Sequence, residues 1–458
     1  MNLSRRKFFS LAGASAVGVT MLSPLEAFYA KVANGQRVRG TGYGPLAAKL
    51  PENADELMGV VLGGIDLGRT PLLELPPGFN YTAISYTGQM MSDNTPVPGL
   101  HDGMAAFPGE NNRTIIVRNH ELGFTANGVI ASKQYDRTAG GTTTLVVGPN
   151  RRIEKHFASL AGTVRNCAGG PTPWGSWVSC EETLTIPTPN NPNNLATKKH
   201  GYNFEVPATE DVLVADPIPL VAMGRFNHEA IAVDPKTGWV YQTEDEGNSC
   251  FYRFRPNQKD NLQSGGVLEA LVIEGMPKVN TRNNFLQYKN KPLPVSWVNI
   301  DTVDPVNNDF NLSVRKQGQD KGAAIFSRGE GCWYGNGLVY FTCTNGGNIG
   351  QGQVFAYNPD NNTLTLVVES INSNELNAPD NITVAPFGHL FICEDGSGTE
   401  YVHGVNKRGE IYRFATNAIN GSEFAGVCFS PDGKTMFVNI QTPGITVAIW
   451  GPWTGRNA

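Results

Sequence analysis

Carboxylates stand at a recurring place in this sequence, beside short alternating apolar runs, and at one such place a cysteine directly precedes two of them. Residues 172–182, TPWGSWVSCEE, end on Cys180, Glu181 and Glu182. Adjacent carboxylates repel, and a thiol is vulnerable in an oxidising compartment, so the run is costly unless something binds there. The same grammar recurs: an acidic residue, an alternating run, a turn with Pro or Gly, then a β-rich run ending in polar groups. It is plain in residues 229–245, 330–345, 380–395 and 424–441, fits well in 102–121, and fits more loosely in 166–182.

An antiparallel hairpin brings the start of its first strand and the end of its second to one end. That end would collect Asp102, Glu229, Glu330 and Asp380, with Glu423 slightly displaced, together with Glu121, Glu181, Glu182, Glu244, Asp245, Glu394 and Asp395. So many like charges must protonate or bind cations. Oxygen-rich sites favour calcium, and a thiolate among carboxylates favours a transition metal, with iron or zinc the natural candidates. Cys180 reads as such a thiolate ligand, with Glu181 and Glu182 neutralised by the cations. Arg328, two residues before Glu330, would share a face with it on an extended segment and suits a fork donating to an anion. No GxSxG elbow, Walker loop or clear Ser-His-Asp set offers a competing nucleophile.

Six hairpins, separated from one another by enough chain for two further strands, predict an all-β, six-bladed β-propeller with a catalytic metal cluster at one mouth of its central channel. Residues 353–369 and 409–415 read as outer strands, and outside the N-terminal signal no helical period of useful length is visible except around residues 54–62. The composition agrees: charged residues are only 17% of the 458, whereas Gly (52) and Pro (30) make the chain turn-rich. A net charge of −5 without a basic, aromatic-laced stripe argues against nucleic acid as a partner.

The N-terminus carries SRRKFF at residues 4–9, a twin-arginine signature, followed by a short apolar run over residues 11–22. This predicts export by the Tat machinery to the periplasm or beyond, with no stable membrane insertion afterwards. The expected organisation is a signal and leader over 1–33, an N-terminal extension with the first outer strands over 34–100, and the propeller over 101–458. Seven cysteines, widely spread and without CxxC spacing, exclude a zinc ribbon, allow one or two disulfides and leave at least one thiol unpaired.

Read together, RNHE (118–121), NCAGGPTPWGSWVSCEE (166–182), RFNHEA (225–230), TEDEG (243–247), SRGEG (327–331), APDN (378–381), CEDG (393–396) and SEFAGVCFSPDG (422–433) resemble the PhoX-type alkaline phosphatases, a Tat-exported bacterial family. The resemblance implies a six-bladed propeller that hydrolyses phosphate monoesters with a mixed site of Fe3+, expected as a dinuclear pair, and Ca2+. It implies Cys180, Glu229 and Glu330 as iron ligands and Glu121, Glu181, Glu244, Asp380, Glu394 and Glu423 as calcium ligands. It further implies Arg328 and Asn166 as the groups holding the phosphate of a small ester, in a chain expected to be monomeric.

Plainer readings compete residue by residue: Cys180 as a buried thiol, Glu182 and Asp245 as turn caps or solvated edges, and Arg328 as an ion-pair partner of Glu330. His120 and His228, both in NHE triplets, are read as orienting the neighbouring glutamates. Trp174 and Trp177 are read as packing residues. At the level of function, the alternatives are a calcium-dependent propeller lactonase or esterase, and a non-enzymatic, calcium-stiffened binding propeller.

Overall fold

The computed structural model describes residues 42–124, 127–188, 191 and 193–453, so the twin-arginine segment and the apolar run after it lie outside the described residues. The chain is all-β and propeller-like. A first sheet runs His101–Pro108, Thr114–His120, Gly140–Val147 and Ile153–Thr163, and a second runs Asn166–Pro171, Ser176–Glu181 and Asn203–Pro207. Sheets beginning with His228–Val233 and Gly329–Gly335 follow, joined at their outer edges where Leu293–Asn299 pairs with Thr363–Glu369. The sheet beginning with Pro379–Val384 gains Leu73–Leu75 and Ala47–Lys49 at its outer edge. In the last sheet, Phe424–Phe429, Thr435–Ile440 and Ile445–Trp450 are completed by Asn80–Tyr86 from the N-terminal side, antiparallel to Ile445–Trp450. Pairing an early strand with the last one covers an edge that would otherwise be open.

His101–Pro108, Asn166–Pro171, His228–Val233, Gly329–Gly335, Pro379–Val384 and Phe424–Phe429 pack in a closed cycle, the last returning to the first. All six share one irregularity. In each inner hairpin two residues of the first strand oppose a single residue of the second, beginning after His101, Asn166, His228, Gly329, Pro379 and Ala425. Such a bulge bends the strand and re-aims the side chain it carries. In the first five sheets the re-aimed residues are Asp102, Cys167, Glu229, Glu330 and Asp380.

The next residue is Gly103, Ala168, Ala230, Gly331 or Asn381, and crowding at the axis explains why it is mostly small. A Cβ on Gly103 would fall 2.5 Å from the Ala168 Cα, and one on Gly331 would fall 2.5 Å from the Asp380 carbonyl oxygen. Below the bulges Trp333 enters the channel, packing against apolar clusters of several sheets, and leaves a void of 20 Å3, room for about one water. The mouth is therefore a cup rather than a pore. Between sheets the core is aromatic and aliphatic, as in the stacked Phe251, Phe341 and Phe355.

The helical period around residues 54–62 yields one turn, Ala54–Leu57, and among the described residues no helix is long and apolar enough to cross a membrane. All seven cysteines are free thiols, so the disulfides allowed by the sequence are not formed.

Because an added methyl at Gly331 meets backbone, Gly331→Ala is expected to lower unfolding stability by about 1–3 kcal/mol, read as a fall in denaturation midpoint. An unchanged midpoint would mean that the inner strands have slack to spread.

Candidate functional site

Three groups of side chains converge at the bulged end of the channel, each with ligand atoms within 4.8 Å of one another: Cys167, Glu182 and Glu229; Asp102, Glu121 and Glu423; and Glu229, Glu330 and Asp380. Glu229 belongs to two of them, so the groups are contiguous. The Cys167 Sγ lies 3.3 Å from Glu229 Oε1 and 3.9 Å from Asp102 Oδ1.

Side chains from neighbouring sheets pin the backbone of these bulges. Asn119 donates from Nδ2 to the Cys167 and Ala168 carbonyls at 3.1 and 2.6 Å, and Asn439 donates to the Asp102 carbonyl at 2.6 Å. The Thr342 hydroxyl donates to the Asp380 carbonyl at 2.8 Å, and Thr243 does the same for Glu330.

The acidic doublets at the hairpin ends divide their labour, because consecutive residues of a strand face opposite ways. The first member is spent on structure. Glu181 is fully buried, accepting from the Val164 and Gly201 amides at 2.9 and 2.8 Å and meeting His200 Nδ1 at 2.7 Å. Glu244 binds Tyr252 Oη at 2.6 Å and Arg315 at 2.8 Å, and Glu394 lies 2.9 Å from His403 Nε2. The second member faces the mouth: Glu182 joins Cys167, Asp245 holds Arg328, and Asp395 lies beside Glu423.

The sequence-based ligand set is corrected accordingly. Glu121, Glu229, Glu330, Asp380 and Glu423 lie in the clusters, whereas Glu181, Glu244 and Glu394 lie behind them, buried against His200, Arg315 and His403. The thiol among the carboxylates is Cys167, not Cys180. Cys180 is the residue opposite the bulge, a position that points into the layer between sheets, where it packs with Val178, Ile231 and Tyr252. Asn166 is equally withdrawn: fully buried, it accepts from Thr163 Oγ1 at 2.5 Å and donates to Ser179 Oγ at 2.8 Å.

His120 contacts the Gly99 carbonyl and Thr143, and His228 contacts the Gly224 carbonyl, so neither orients its neighbouring glutamate. Burial holds both rings neutral, well below the usual histidine range. Asp102 and Glu182, which hairpin geometry gathers at the mouth but the ligand set implied by the family resemblance omits, are in the clusters, and Cys167 is the one ligand-type residue the sequence reading lacks. The signal that points to Cys167 is the dipeptide at the bulge, a donor followed by a small residue: Asp102-Gly103, Cys167-Ala168, Glu229-Ala230 and Glu330-Gly331.

Charge decides the chemistry. At 4.8 Å, with an effective dielectric near 20, two unit charges repel by about 3.5 kcal/mol, so one fully ionised triad carries about 10 kcal/mol, comparable to the whole stability of a domain. The groups respond by holding protons. Burial, with Asp395 next, pushes Asp380 up to about 7, and burial pushes Glu182 up to about 8 against the pull of Arg165. Glu229, Glu330, Asp102 and Glu423 are all raised well above the carboxylate range, by burial first and by neighbouring carboxylates after it. The Cys167 thiol is raised by burial, then by Asp102 and Glu229.

The described cations that touch the clusters are Arg165, 2.7 Å from Glu121 and 2.5 Å from Glu182, and Arg328, 2.8 Å from Asp245 and 2.7 Å from Glu330. Arg328 meets Glu330 through a left-handed residue, φ 50°, rather than by strand alternation.

This donor set fits bound cations. Glu229 Oε2 is buried without a hydrogen-bond partner, in a group that offers oxygens and one sulfur at ligand spacing. The fold and mouth thus define a propeller-like protein with an acidic, thiol-bearing site of metal-binding type. The chain belongs to the alkaline phosphatase PhoX family, whose sequence profile matches residues 61–147 and 127–444, and membership makes it a phosphatase of a metal-dependent kind.

Among solved structures it is similar to Pseudomonas fluorescens PhoX in complex with vanadate, a transition state analogue, at 20% identity and a TM-score of 0.64, over 90% of this chain and 98% of that one. A weaker likeness is to virginiamycin B lyase from Staphylococcus aureus, at 12% identity and a TM-score of 0.40, over 81% of this chain and 99% of that one. No curated protein matches the chain.

A carboxylate whose folded-state pKa is raised favours the folded state at low pH and loses that contribution as pH rises through the raised value. The metal-free protein is therefore expected to lose stability between about pH 4 and pH 8, given Asp380 near 7 and Glu182 near 8. Divalent cation should reverse the loss and bind more tightly as pH rises. Melting temperatures across that range with chelator and with calcium test this; a chelated protein that gains stability towards pH 8 would contradict it.

Proposed function

We propose that the chain is an exported alkaline phosphatase that hydrolyses small phosphate monoesters and releases inorganic phosphate at a cluster of iron and calcium. The observation that carries this reading is the convergence of Cys167, Glu229, Glu330 and Asp380 on one rim beside the guanidinium of Arg328.

Six sheets whose first strands close a cycle support a six-bladed propeller over 101–458, with residues before 101 supplying outer strands. The twin-arginine segment supports export to the periplasm or beyond, and a route for folded proteins suits a site that needs cations to be stable.

Within the site, Cys167, Glu182, Glu229, Glu330 and Asp380 would hold the softer metal and its neighbours, and Asp102, Glu121 and Glu423 form an all-oxygen group suited to calcium. Cations held there supply charge neutralisation at the non-bridging phosphate oxygens and an activated nucleophile. The protein's own contribution is positional. Asp245 holds the Arg328 guanidinium through Nε and Nη2, while Nη1, engaged by no hydrogen bond among the described residues, is free to donate to an ester oxygen. The plugged channel confines substrate to the open face.

The test is turnover of a chromogenic phosphate monoester at alkaline pH by protein loaded with iron and calcium. Arg328→Ala is expected to lower kcat/KM by about 100-fold or more, Cys167→Ala to abolish turnover, and Cys180→Ala to leave most of it. A loaded wild-type protein without turnover, or an Arg328→Ala variant as active as wild type, would sink the reading.

A further inference from the structure

Arg165 stands two residues before Cys167, as Arg328 stands two residues before Glu330. The correspondence is structural as well. Both residues are left-handed, with φ of 49° and 50°, and each backbone carbonyl accepts from the amide of a residue at the end of the paired strand, Glu182 for Arg165 and Thr344 for Arg328, both at 2.9 Å.

The conformation does not demand a charge, because Leu100 and Ala378 hold the same place in two other sheets with φ of 45° and 50°. The turn therefore accepts Leu and Ala as well as Arg, and the two arginines are not required by the backbone. The two arginines enter from the sheets on either side of the Glu229 strand, and Glu229 is the residue shared by two of the clusters.

We propose that Arg165 is a second phosphate-binding arginine, opposed to Arg328 across the Glu229 strand, so that the ester's phosphoryl group is clamped from two sides above the clusters. This rests on the phosphatase reading and deepens it.

The contacts fit a group that is only partly committed to its neighbours. Arg165 reaches Glu121 and Glu182 through Nη2 alone, and its Nε and Nη1 make no hydrogen bond among the described residues. Its side chain is 48% exposed, against 15% and 11% for those two carboxylates, so the guanidinium lies on the solvent side of them. Glu121 and Glu182 belong to different clusters, so cations bound in both would take up the negative charge that Arg165 now faces and leave its fork for an incoming anion. Planar, two-point recognition of phosphate is what distinguishes an arginine from a lysine in such a role.

The test uses inorganic phosphate as the probe on the metal-loaded full chain, with Arg165→Gln and Arg165→Lys compared with wild type. Calorimetric phosphate affinity, competitive inhibition by phosphate, KM and kcat for the chromogenic ester, and metal content are read for each. Arg165→Gln is expected to weaken phosphate binding and raise KM by about tenfold or more at unchanged metal content, with kcat falling less. Arg165→Lys should recover part of the affinity, and it decides alone should the glutamine variant fail to fold: phosphate affinity equal to wild type would then overturn the proposal.

Unchanged phosphate affinity in Arg165→Gln, with altered cation affinity, would reduce Arg165 to a counter-charge for Glu121 and Glu182. A wild type that hydrolyses the ester while Arg165→Gln binds phosphate equally well overturns this role only. A wild type that binds no phosphate overturns the phosphatase reading as well.

Discussion

One backbone irregularity governs this molecule: at the same end of each inner hairpin, two residues face one, and the first of the two is turned towards the axis. Regular pairing would send Asp102, Cys167, Glu229, Glu330 and Asp380 into strand alternation. The bulge instead stacks them around one mouth. Small residues next in sequence let neighbouring strands close up, and Asn119, Thr243, Thr342 and Asn439 tie the bulged carbonyls to the adjacent sheet. The ligand positions therefore belong to the scaffold rather than to loops, which is the arrangement a precise site requires.

The same geometry creates the electrostatic problem that cations would relieve. Each triad, if ionised, would repel itself by an amount comparable to the stability of a domain. Protons on Asp380, Glu229 and Glu330 relieve this repulsion at low pH, and metal ions would relieve it at higher pH. Behind the rim, a second layer of carboxylates is partnered within the protein. Glu181 leans on His200, which also meets Asp136 at 3.3 Å, and Glu244 leans on Arg315. Adjacent acidic residues in the sequence thus have unrelated duties, one bracing the sheet and the next facing the mouth.

The fold was legible because hairpin grammar is local: an alternating run, a turn and a second run report themselves in any window of the right length. So was the gathering of acid at one end, which follows from antiparallel pairing alone. The facing of individual residues was not, because it depends on bulges, which shift alternation by one and leave little trace in composition. Cys180 stands beside Glu181 and Glu182 in the sequence, which is what points to it as a ligand, yet it sits opposite the bulge and points into an apolar layer, while Cys167 thirteen residues earlier is turned towards the mouth. The doublets misled for the same reason. Composition does not tell Glu181 and Glu394 from their successors Glu182 and Asp395, which face the site, and the amide of Asn166 is consumed by Thr163 and Ser179 instead of reaching the mouth.

Sulfur is the element that separates the readings of this mouth, since a ring of carboxylates alone would suit any structural calcium site, whereas a thiolate ligand brings in a transition metal. X-ray absorption at the iron edge of the metal-loaded protein measures that bond directly. The account predicts a sulfur neighbour to iron in wild type that persists in Cys180→Ser and vanishes in Cys167→Ser. A sulfur signal that survives in Cys167→Ser, or that is absent from wild type, would contradict it.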